Sequence, residues 1–338
     1  MNTRMRTAKY GSTFAIPILI VSLVGVLLLS LSIGEISIPF WKWKEILQDP
    51  DSMEYGILTY IRLPRALLGL AVGGALSLAG VVLQGIYRNP LVEPYTLGIS
   101  GGASLGVTFA IVSGLHAVTI LFLPLAGFVG ALLTIFLVYT LSLQRGYLSI
   151  TRMLLIGVMI SFISSSLMMF LMSVTDVENI HGIVFWIMGS LNESNAMLWV
   201  SMLILSILSL GITYLFTTPL NALRLGEEKA MHLGINANTT IRILFITTSL
   251  LTGACIAVAG VIGFVGLVIP HIVRLWVGTD YRKLLLTSYL AGSVFLILSD
   301  VVARTIIAPN ELPIGVITGI IGGAAFILIL VKSRHGNK

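Results

Sequence analysis

The chain has 338 residues, of which 57% are apolar and only 10% are charged, and its formal net charge is +6. A soluble protein usually carries charges on about a quarter of its residues. This chain cannot cover itself with a hydrated surface, so its composition favours a protein embedded in lipid. Its long apolar stretches predict membrane-spanning helices, since roughly 20 residues cross the hydrocarbon core and each helix satisfies its own backbone hydrogen bonds.

The N-terminal segment predicts a retained first span. Arg4, Arg6 and Lys9 precede an apolar run from Phe14 to Ile33. That run is longer than the core of a signal peptide, and no small-x-small cleavage pattern follows it. We therefore expect the N-terminus to lie in the cytoplasm.

About ten spans are predicted in chain order, at approximately 14–33, 63–87, 94–113, 117–142, 150–174, 195–216, 240–260, 262–276, 284–307 and 314–332. The eighth is short and ends at Pro270-His271, which indicates an incomplete crossing. With the N-terminus inside, most of the 20 lysines and arginines fall on the cytoplasmic side, as the positive-inside rule requires. The C-terminus is then cytoplasmic too, and the net charge reflects this bias rather than binding of nucleic acid.

Small residues predict how the helices pack. Glycines recur at four-residue spacing, which lets helix backbones approach closely within a subunit or between subunits; they are Gly69 and Gly73, Gly102 and Gly106, and Gly315, Gly319 and Gly323. The segment from Gly74 to Val81 is also echoed by the segment from Gly253 to Val261 in an oppositely directed span. This echo indicates an inverted-topology repeat, which is common in transporters.

Charged residues near the ends of spans are candidates for function. Asp300 and Arg304 lie four residues apart near the outer end of the ninth span, which predicts either a local ion pair or an arginine presented outward. Arg62 and Arg65 lie at the outer mouth of the second span. They either anchor to lipid headgroups and helix ends, or dock acidic residues of an external protein.

Sequence motifs of catalysis are absent. The chain has no phosphate-binding loop, no His-Glu-x-x-His and no Gly-x-Ser-x-Gly. Its five histidines and single cysteine, Cys255, show no metal-ligand spacing. We expect neither an enzyme nor a bound metal or cofactor. Uphill transport would then draw energy from another subunit or from an ion gradient.

A polar segment, residues 217–240, interrupts the apolar stretches and is long enough for two short helices. Pro219 can open the first, with Leu220 and Leu223 on one face, and Gly226 breaks it. Glu227 and Glu228 suit the start of the second helix, Ala230, Met231 and Leu233 add apolar contacts, and Gly234 suits its C-terminal cap. Such helices either insert into a groove of a partner or rest on lipid headgroups.

Together these residues resemble the permease subunits of the FecCD family, the membrane subunits of ATP-driven importers for iron–siderophore complexes, haem, cobalamin and related chelates. Eight motifs carry the resemblance in order: residues 62–65, 80–84, 89–94 with 97–103, 186–191, 225–227 with Ala230 and 233–234, 263–271, Asp300 with 303–304, and 311–318.

The resemblance implies an all-α, polytopic membrane protein with the inverted-repeat fold of type II ABC importer permeases. Residues 1–338 would form a single transmembrane permease domain with a cytoplasmic coupling-helix loop at 217–240. Its implied partners are a second copy of the chain in a homodimer, two copies of a cytoplasmic ATPase that binds ATP and Mg, and an extracytoplasmic substrate-binding protein. Alternating access in the cytoplasmic membrane is the implied mechanism, and an iron–siderophore complex is the first expected cargo.

Site residues follow from the resemblance position by position. Arg62, Arg65 and Arg304 resemble the arginines that dock the binding protein. The residues that resemble the ATPase-coupling surface are Leu220, Leu223, Gly226, Glu227, Glu228, Ala230, Met231, Leu233 and Gly234. The residues that resemble the cytoplasmic gate are Asn89, Pro90, Leu91, Ser149, Ile150 and Thr151; Ile150 departs from the small or polar residue common there. The competing hypothesis is an ion-coupled secondary transporter, which needs intramembrane carboxylates.

Overall fold

The computed structural model describes residues 2–119, 121–193 and 195–335. These residues form fifteen α-helices, a two-stranded hairpin, short 3₁₀ helices and one π-helical segment, Ile57–Arg62, which leads into α4. The predicted cytoplasmic C-terminus therefore lies just outside the described residues. The helices are α1 (Asn2–Ser32), α2 (Trp43–Ile46), α3 (Met53–Gly56), α4 (Leu63–Ile86), α5 (Ile99–Val112), α6 (Phe122–Ser142), α7 (Ile150–Ser173), α8 (Val177–Ile187), α9 (Ala196–Leu215), α10 (Thr217–Leu223), α11 (Glu227–His232), α12 (Ala237–Ala259), α13 (Val265–Val277), α14 (Tyr281–Ala303) and α15 (Ile314–His335). Strands β1 (Leu143–Gln144) and β2 (Tyr147–Leu148) pair antiparallel, with Leu143 opposite Leu148.

Seven segments among the described residues are helical, apolar and long enough to cross a membrane. They are Phe14–Ser32, Met53–Ile86, Phe122–Ser142, Ile150–Ser173, Ala196–Leu215, Ala237–Ala259 and Tyr281–Ala303. Helix α13 has 13 residues and rises about 20 Å, less than the roughly 30 Å of the hydrocarbon core. The prediction that the eighth span is short is confirmed, but its predicted end at Pro270-His271 is wrong, because Pro270 lies inside α13 and the helix continues to Val277.

The third predicted span, 94–113, is wrong at its start. Residues Pro94–Leu97 form a 3₁₀ turn, and α5 begins only at Ile99, after Gly98 in the left-handed region at φ 80°. Pro94 and Gly98 break the apolar run into a turn and a shorter helix, which apolarity alone did not indicate. Helix α8 was likewise not predicted.

Helix α4 is the centre of the bundle and packs against α9, α12, α13 and α14. Its glycines allow this contact. A Cβ added at Gly73 would meet the Gly292 carbonyl of α14, and one added at Gly80 would meet the Gly266 carbonyl of α13. Gly102 of α5 lies equally close to Gly130 of α6. The prediction of close backbone packing is confirmed at Gly73 and Gly102, whereas Gly319 faces open space.

The two halves share one plan. In each, a long helix (α4 or α12) leads through an irregular segment into a shorter helix (α5 or α13), and the second half runs in the opposite direction. The glycine echo is not the basis of this symmetry. Gly80 lies inside α4, whereas Gly260 ends α12 with φ 70°.

The bundle has two distinct ends. The polar-segment end carries α10, α11 and the β1–β2 hairpin, which Asn238 and Arg242 of α12 bind through the Gly146 carbonyl. The arginine end carries Arg62, Arg65 and Arg304. Backbone hydrogen bonds there join the segment after α8 to the end of α12 and to the start of α15. The Ser190 N–H donates to the Ala259 carbonyl at 2.9 Å, and the Gly315 N–H donates to the Met188 carbonyl at 3.0 Å.

Candidate functional site

The polar segment forms the two predicted short helices. Gly226, with φ 110°, separates α10 from α11, and Gly234, with φ 80°, follows α11. The boundaries differ from the prediction at both ends. Helix α10 begins at Thr217, two residues before Pro219. Helix α12 begins at Ala237, because the Asn236 side chain accepts a hydrogen bond from the Thr239 N–H at 3.0 Å and caps it.

Burial divides the predicted coupling residues into two groups. Leu220, Leu223 and Ala230 are buried inside this chain, so they anchor the short helices to the bundle and contact no partner directly. Met231 and Leu233 are 57% and 63% exposed. Leu225, which sequence reasoning left out of this surface, is 58% exposed beside Gly226. We call Leu225, Met231 and Leu233 the exposed apolar triad.

The polar segment is joined to the start of α14. Asn221 Nδ2 donates to Asp280 Oδ1 at 2.9 Å, and the Tyr281 N–H donates to Asn221 Oδ1 at 3.2 Å. Arg224 Nη1 donates to the Thr279 carbonyl at 2.8 Å. The hydrogen bond from Asn221 is the main cause that lowers the pKa of Asp280. A displacement of α10 would therefore be passed to α14, and through α14 to α4.

The predicted gate residues lie at this same end. Asn89 Oδ1 accepts the Leu91 N–H at 2.9 Å, a turn that leaves Pro90 and Leu91 exposed. Ser149 is the residue that precedes α7, Ile150 is half-buried and Thr151 is exposed. No hydrogen bond joins the two segments within the part of the chain that the structure describes. Their role as a gate stays a prediction.

Two polar side chains of the segment between α4 and α5 were missed by sequence reasoning. Glu93 Oε1 accepts the Phe264 N–H at 2.6 Å, next to the start of α13. Tyr95 Oη accepts the Ile262 N–H at 3.1 Å and donates to the Ile262 carbonyl at 3.0 Å. Desolvation raises the pKa of Glu93, and the hydrogen bond from Phe264 opposes that rise. A carboxylate placed within an apolar run was the available signal.

The three arginines at the opposite end belong to a buried cluster. Arg62, Arg65 and Arg304 are only 4%, 5% and 7% exposed. Arg65 Nε donates to Asp300 Oδ1 at 2.8 Å, and its Nη1 donates to both oxygens of Glu311 at 3.0 and 2.8 Å. Arg304 Nε lies 3.5 Å from Asp300 Oδ2, so the predicted local ion pair is confirmed.

Backbone carbonyls accept further hydrogen bonds from Arg62 and Arg304. Arg62 Nη1 donates to the Leu31 carbonyl at 2.7 Å, and its Nη2 binds the Ile36 carbonyl. Arg304 Nη2 donates to the Ser30 carbonyl at 2.6 Å. None of the three guanidiniums is presented outward in this arrangement. Docking of a binding protein stays a prediction, and Glu311, whose side chain is 46% exposed, is the member nearest to solvent.

No group of three His, Cys, Asp or Glu side chains among the described residues is placed to hold a metal ion. Among the described residues, no serine, threonine or cysteine side chain is hydrogen-bonded to a histidine or carboxylate side chain. What the arrangement offers is mechanical: an exposed apolar triad at one end, joined through packed helices to a charged cluster at the other.

The fold is that of the permease subunits of ABC importers, and comparison with known proteins identifies the family. The sequence profile of the FecCD transport family matches residues 20–332. The chain therefore belongs to the FecCD transport family and is a multi-pass transport permease.

Individual relatives agree with this assignment. The chain is 37% identical to the hemin transport system permease protein HmuU of Yersinia pestis, over 94% of this chain and 95% of that protein. It is 38% identical to the vitamin B12 import system permease protein BtuC of Klebsiella pneumoniae, over 91% and 90% of the two chains. It is also 37% identical to YvrB of Bacillus subtilis, an uncharacterized ABC transporter permease, over 99% and 97%.

Solved structures show the same fold. A structure described as an inward-facing conformation of a metal-chelate type ABC transporter superposes with a TM-score of 0.85 at 33% identity, covering 94% of this chain and 98% of that one. PsaBC from Streptococcus pneumoniae, solved with a Fab, superposes with a TM-score of 0.54 at 16% identity, which supports the fold alone.

Proposed function

We propose that this chain is the membrane subunit of an importer that moves an iron–siderophore complex across the cytoplasmic membrane, driven by a separate ATPase. Haem and cobalamin are the next cargoes to test. The relatives named for hemin and vitamin B12 transport, and the metal-chelate structure, support this class of cargo. The chain's termini lie in the cytoplasm in this proposal, because most of its lysines and arginines fall on that side.

The exposed apolar triad carries the proposal. Leu225, Met231 and Leu233 are exposed on a segment outside the spans. Short amphipathic helices that present apolar side chains fit a groove on a partner protein. Since this chain has no phosphate-binding loop, the partner protein that carries that groove is the available source of ATP hydrolysis.

The mechanism we propose is alternating access. The ATPase would move α10 and α11 as it closes on ATP. The bonds of Asn221 and Arg224 to the start of α14 pass that movement into the bundle. Close glycine contacts make α4 and α14 move as packed units. Two copies of this chain would form the pathway, with the binding protein docked at the arginine end.

An ion-coupled secondary transporter is the second candidate, and the structure disfavours it. Such a carrier needs a carboxylate that releases and rebinds an ion or proton. Both oxygens of Asp300 face arginines, Arg65 at 2.8 Å and Arg304 at 3.5 Å. Glu93 is engaged by the Phe264 N–H. Neither carboxylate is available for an ion cycle in this arrangement.

Transport by the reconstituted assembly tests the proposal. The chain, the ATPase and the binding protein are placed in proteoliposomes, and uptake of a labelled ferric siderophore is measured with and without ATP and with an uncoupler. We expect uptake that needs ATP and is insensitive to the uncoupler. Uptake without ATP that collapses with the uncoupler would establish the secondary transporter instead.

Capture of the ATPase tests the surface itself. Met231→Glu and Leu233→Glu should abolish co-purification of the ATPase, because a charge cannot be buried unpaired in an apolar groove. Val177→Glu is the matched control, since Val177 is 82% exposed on α8, at the opposite end of the bundle. Equal capture by all three variants would show that the triad is not the ATPase surface.

A further inference from the structure

A small basic cavity lies at the polar-segment end, between residues 88–91, which we call the gate segment, and the short helices α10 and α11. Its volume is about 240 Å³, and three arginines line it: Arg88, Arg224 and Arg274. The three come from different parts of the chain. Arg88 follows α4, Arg224 follows α10, and Arg274 lies in the last turn of α13. Gln84 and Tyr281 are among the other residues that line it.

Side-chain and backbone contacts hold two of these guanidiniums in place. Gln84 Nε2 donates to the Gly266 carbonyl at 3.2 Å, which leaves Gln84 Oε1 to accept from Arg274 Nη2 at 3.1 Å. Arg224 Nη1 is bound by the Thr279 carbonyl at 2.8 Å. Each of these bonds uses one nitrogen of the guanidinium, so further donors remain on both side chains. Arg88 has a left-handed backbone, with φ 49°, an uncommon conformation for a residue with a side chain.

No carboxylate balances these charges among the described residues. None of the cavity-lining residues is acidic, and no ion pair involves any of the three arginines. The acid nearest along the chain to each arginine is used elsewhere. Glu93 accepts from the Phe264 N–H, Glu227 lines a different cavity beside the β1–β2 hairpin, and Asp280 accepts from Asn221. Three cations around one small space repel each other, and an anion between them would remove that cost.

We propose that this cavity is a binding site for a phosphate-class oxyanion, either free phosphate or the phosphate of an anionic lipid headgroup. Guanidinium groups bind such oxyanions through paired, charge-assisted hydrogen bonds. The volume is below the roughly 300 Å³ at which sites for drug-sized molecules begin, so it suits a compact anion rather than a metal chelate.

Such an anion would bind three separate elements at once. It would contact the gate segment through Arg88, the polar segment through Arg224 and α13 through Arg274. Bound there, it favours the arrangement in which these elements converge on the cavity. The site is thus placed to set how readily the polar segment moves relative to the gate segment.

Phosphate titration of the purified full-length chain tests the site. The chain is held in an uncharged detergent, and inorganic phosphate is titrated calorimetrically at constant ionic strength, with chloride as the reference anion. We expect saturable binding that Arg88→Gln weakens by about tenfold or more, the effect of losing a charge-assisted hydrogen bond. Arg274→Gln should act likewise, and Arg88→Lys should retain part of the affinity.

Arg152→Gln is the control, because Arg152 is an exposed arginine at the same end, on α7, and lies outside the cavity. It should bind phosphate as the wild type does. Equal binding by all variants would mean non-specific attraction to a basic surface and would overturn the proposal. Arg88 is exposed in a connection, so its variants remain informative even if Arg274→Gln does not fold.

Nanodiscs distinguish the two sources of phosphate. If a lipid headgroup fills the site, discs that contain phosphatidylglycerol should raise the unfolding temperature of the wild type but not of Arg88→Gln, and should block free phosphate. If free phosphate is the ligand, its binding should be equal in phosphatidylcholine discs with and without phosphatidylglycerol. Absence of both effects, together with weaker capture of the ATPase by Arg88→Gln, would assign the cavity to a carboxylate of the partner and refute the phosphate proposal.

Discussion

Replacement of Asp300 by alanine should destabilise this protein more than replacement of Glu311, the other carboxylate that contacts its arginine cluster. Asp300 is 1% exposed, and its two oxygens face Arg65 Nε at 2.8 Å and Arg304 Nε at 3.5 Å. Without Asp300, two buried guanidiniums lose their shared carboxylate, and Glu311 alone remains against three arginines. Removal of one partner from a buried pair costs about 3–5 kcal/mol.

Glu311 provides the comparison within the same cluster. It also bonds to Arg65, at 2.8 Å, but its side chain is 46% exposed, so water can replace it. A pair with one solvated partner contributes about 0–1 kcal/mol. Asp300→Ala should therefore cost at least about 2 kcal/mol more than Glu311→Ala. Asp300→Asn keeps an acceptor for Arg65 and removes the charge, so its loss of stability should lie between those of Asp300→Ala and Glu311→Ala.

Apparent thermal unfolding in an uncharged detergent measures this ranking, followed by tryptophan fluorescence and by the monodisperse fraction on gel filtration. A second variant tests the cause. Arg65→Met combined with Asp300→Leu should recover much of the stability lost in Asp300→Ala, because an apolar pair of similar volume leaves fewer buried charges unpaired. Equal losses in Asp300→Ala and Glu311→Ala, or a neutral Asp300→Ala, would refute the reasoning.

Three further predictions concern the interior and the polar segment. Glu93→Ala should cost about 1–3 kcal/mol in thermal unfolding, because it leaves a buried N–H unpaired. Glu93→Gln keeps that acceptor and cannot titrate, so it should not show the loss of stability that the wild type shows as pH rises through the raised pKa of Glu93. Asn221→Ala should lose less than about 1 kcal/mol through its bond to Asp280, since Asp280 is exposed. That part of the cost should disappear as pH falls through the lowered pKa of Asp280, while the part due to the Tyr281 N–H remains; a cost that is unchanged in acid would contradict the reasoning. Gly80→Ala should reduce the folded yield, because its Cβ would meet backbone, whereas Gly211→Ala, with open space at its Cβ, should not; equal yields would show that the α4 contact can relax.

Local signals in the sequence were sufficient for the helices and for the polar segment. Gly226 and Gly234 mark breaks because both occupy positive φ, a conformation that glycine adopts without strain. The short eighth span was recognised from the length of its apolar run. Near Gly98 the same reasoning failed, since an apolar run does not reveal that its first residues turn rather than continue the helix.

Contacts between residues that are far apart in the chain could not be predicted from the sequence. Arg65 and Glu311 are 246 positions apart, and Glu93 and Phe264 are 171 apart. No spacing rule connects such residues, because their distance depends on how whole helices pack. The sequence could therefore suggest Arg65 as a docking residue or a helix-end anchor, but it could not show that Arg65 is buried with a carboxylate on either side.

Composition, span length and motif order determined by themselves that this chain is a multi-pass membrane permease of the FecCD type with a polar segment between two spans. These properties are local or additive: apolar length sets insertion into lipid, and short motifs recur at fixed positions. Only the tertiary structure decided which face of the polar segment is free. Leu220 and Leu223 turn inward while Leu225, Met231 and Leu233 stay exposed, because the packing of α10 against α4 and α14 selects the side that each short helix buries.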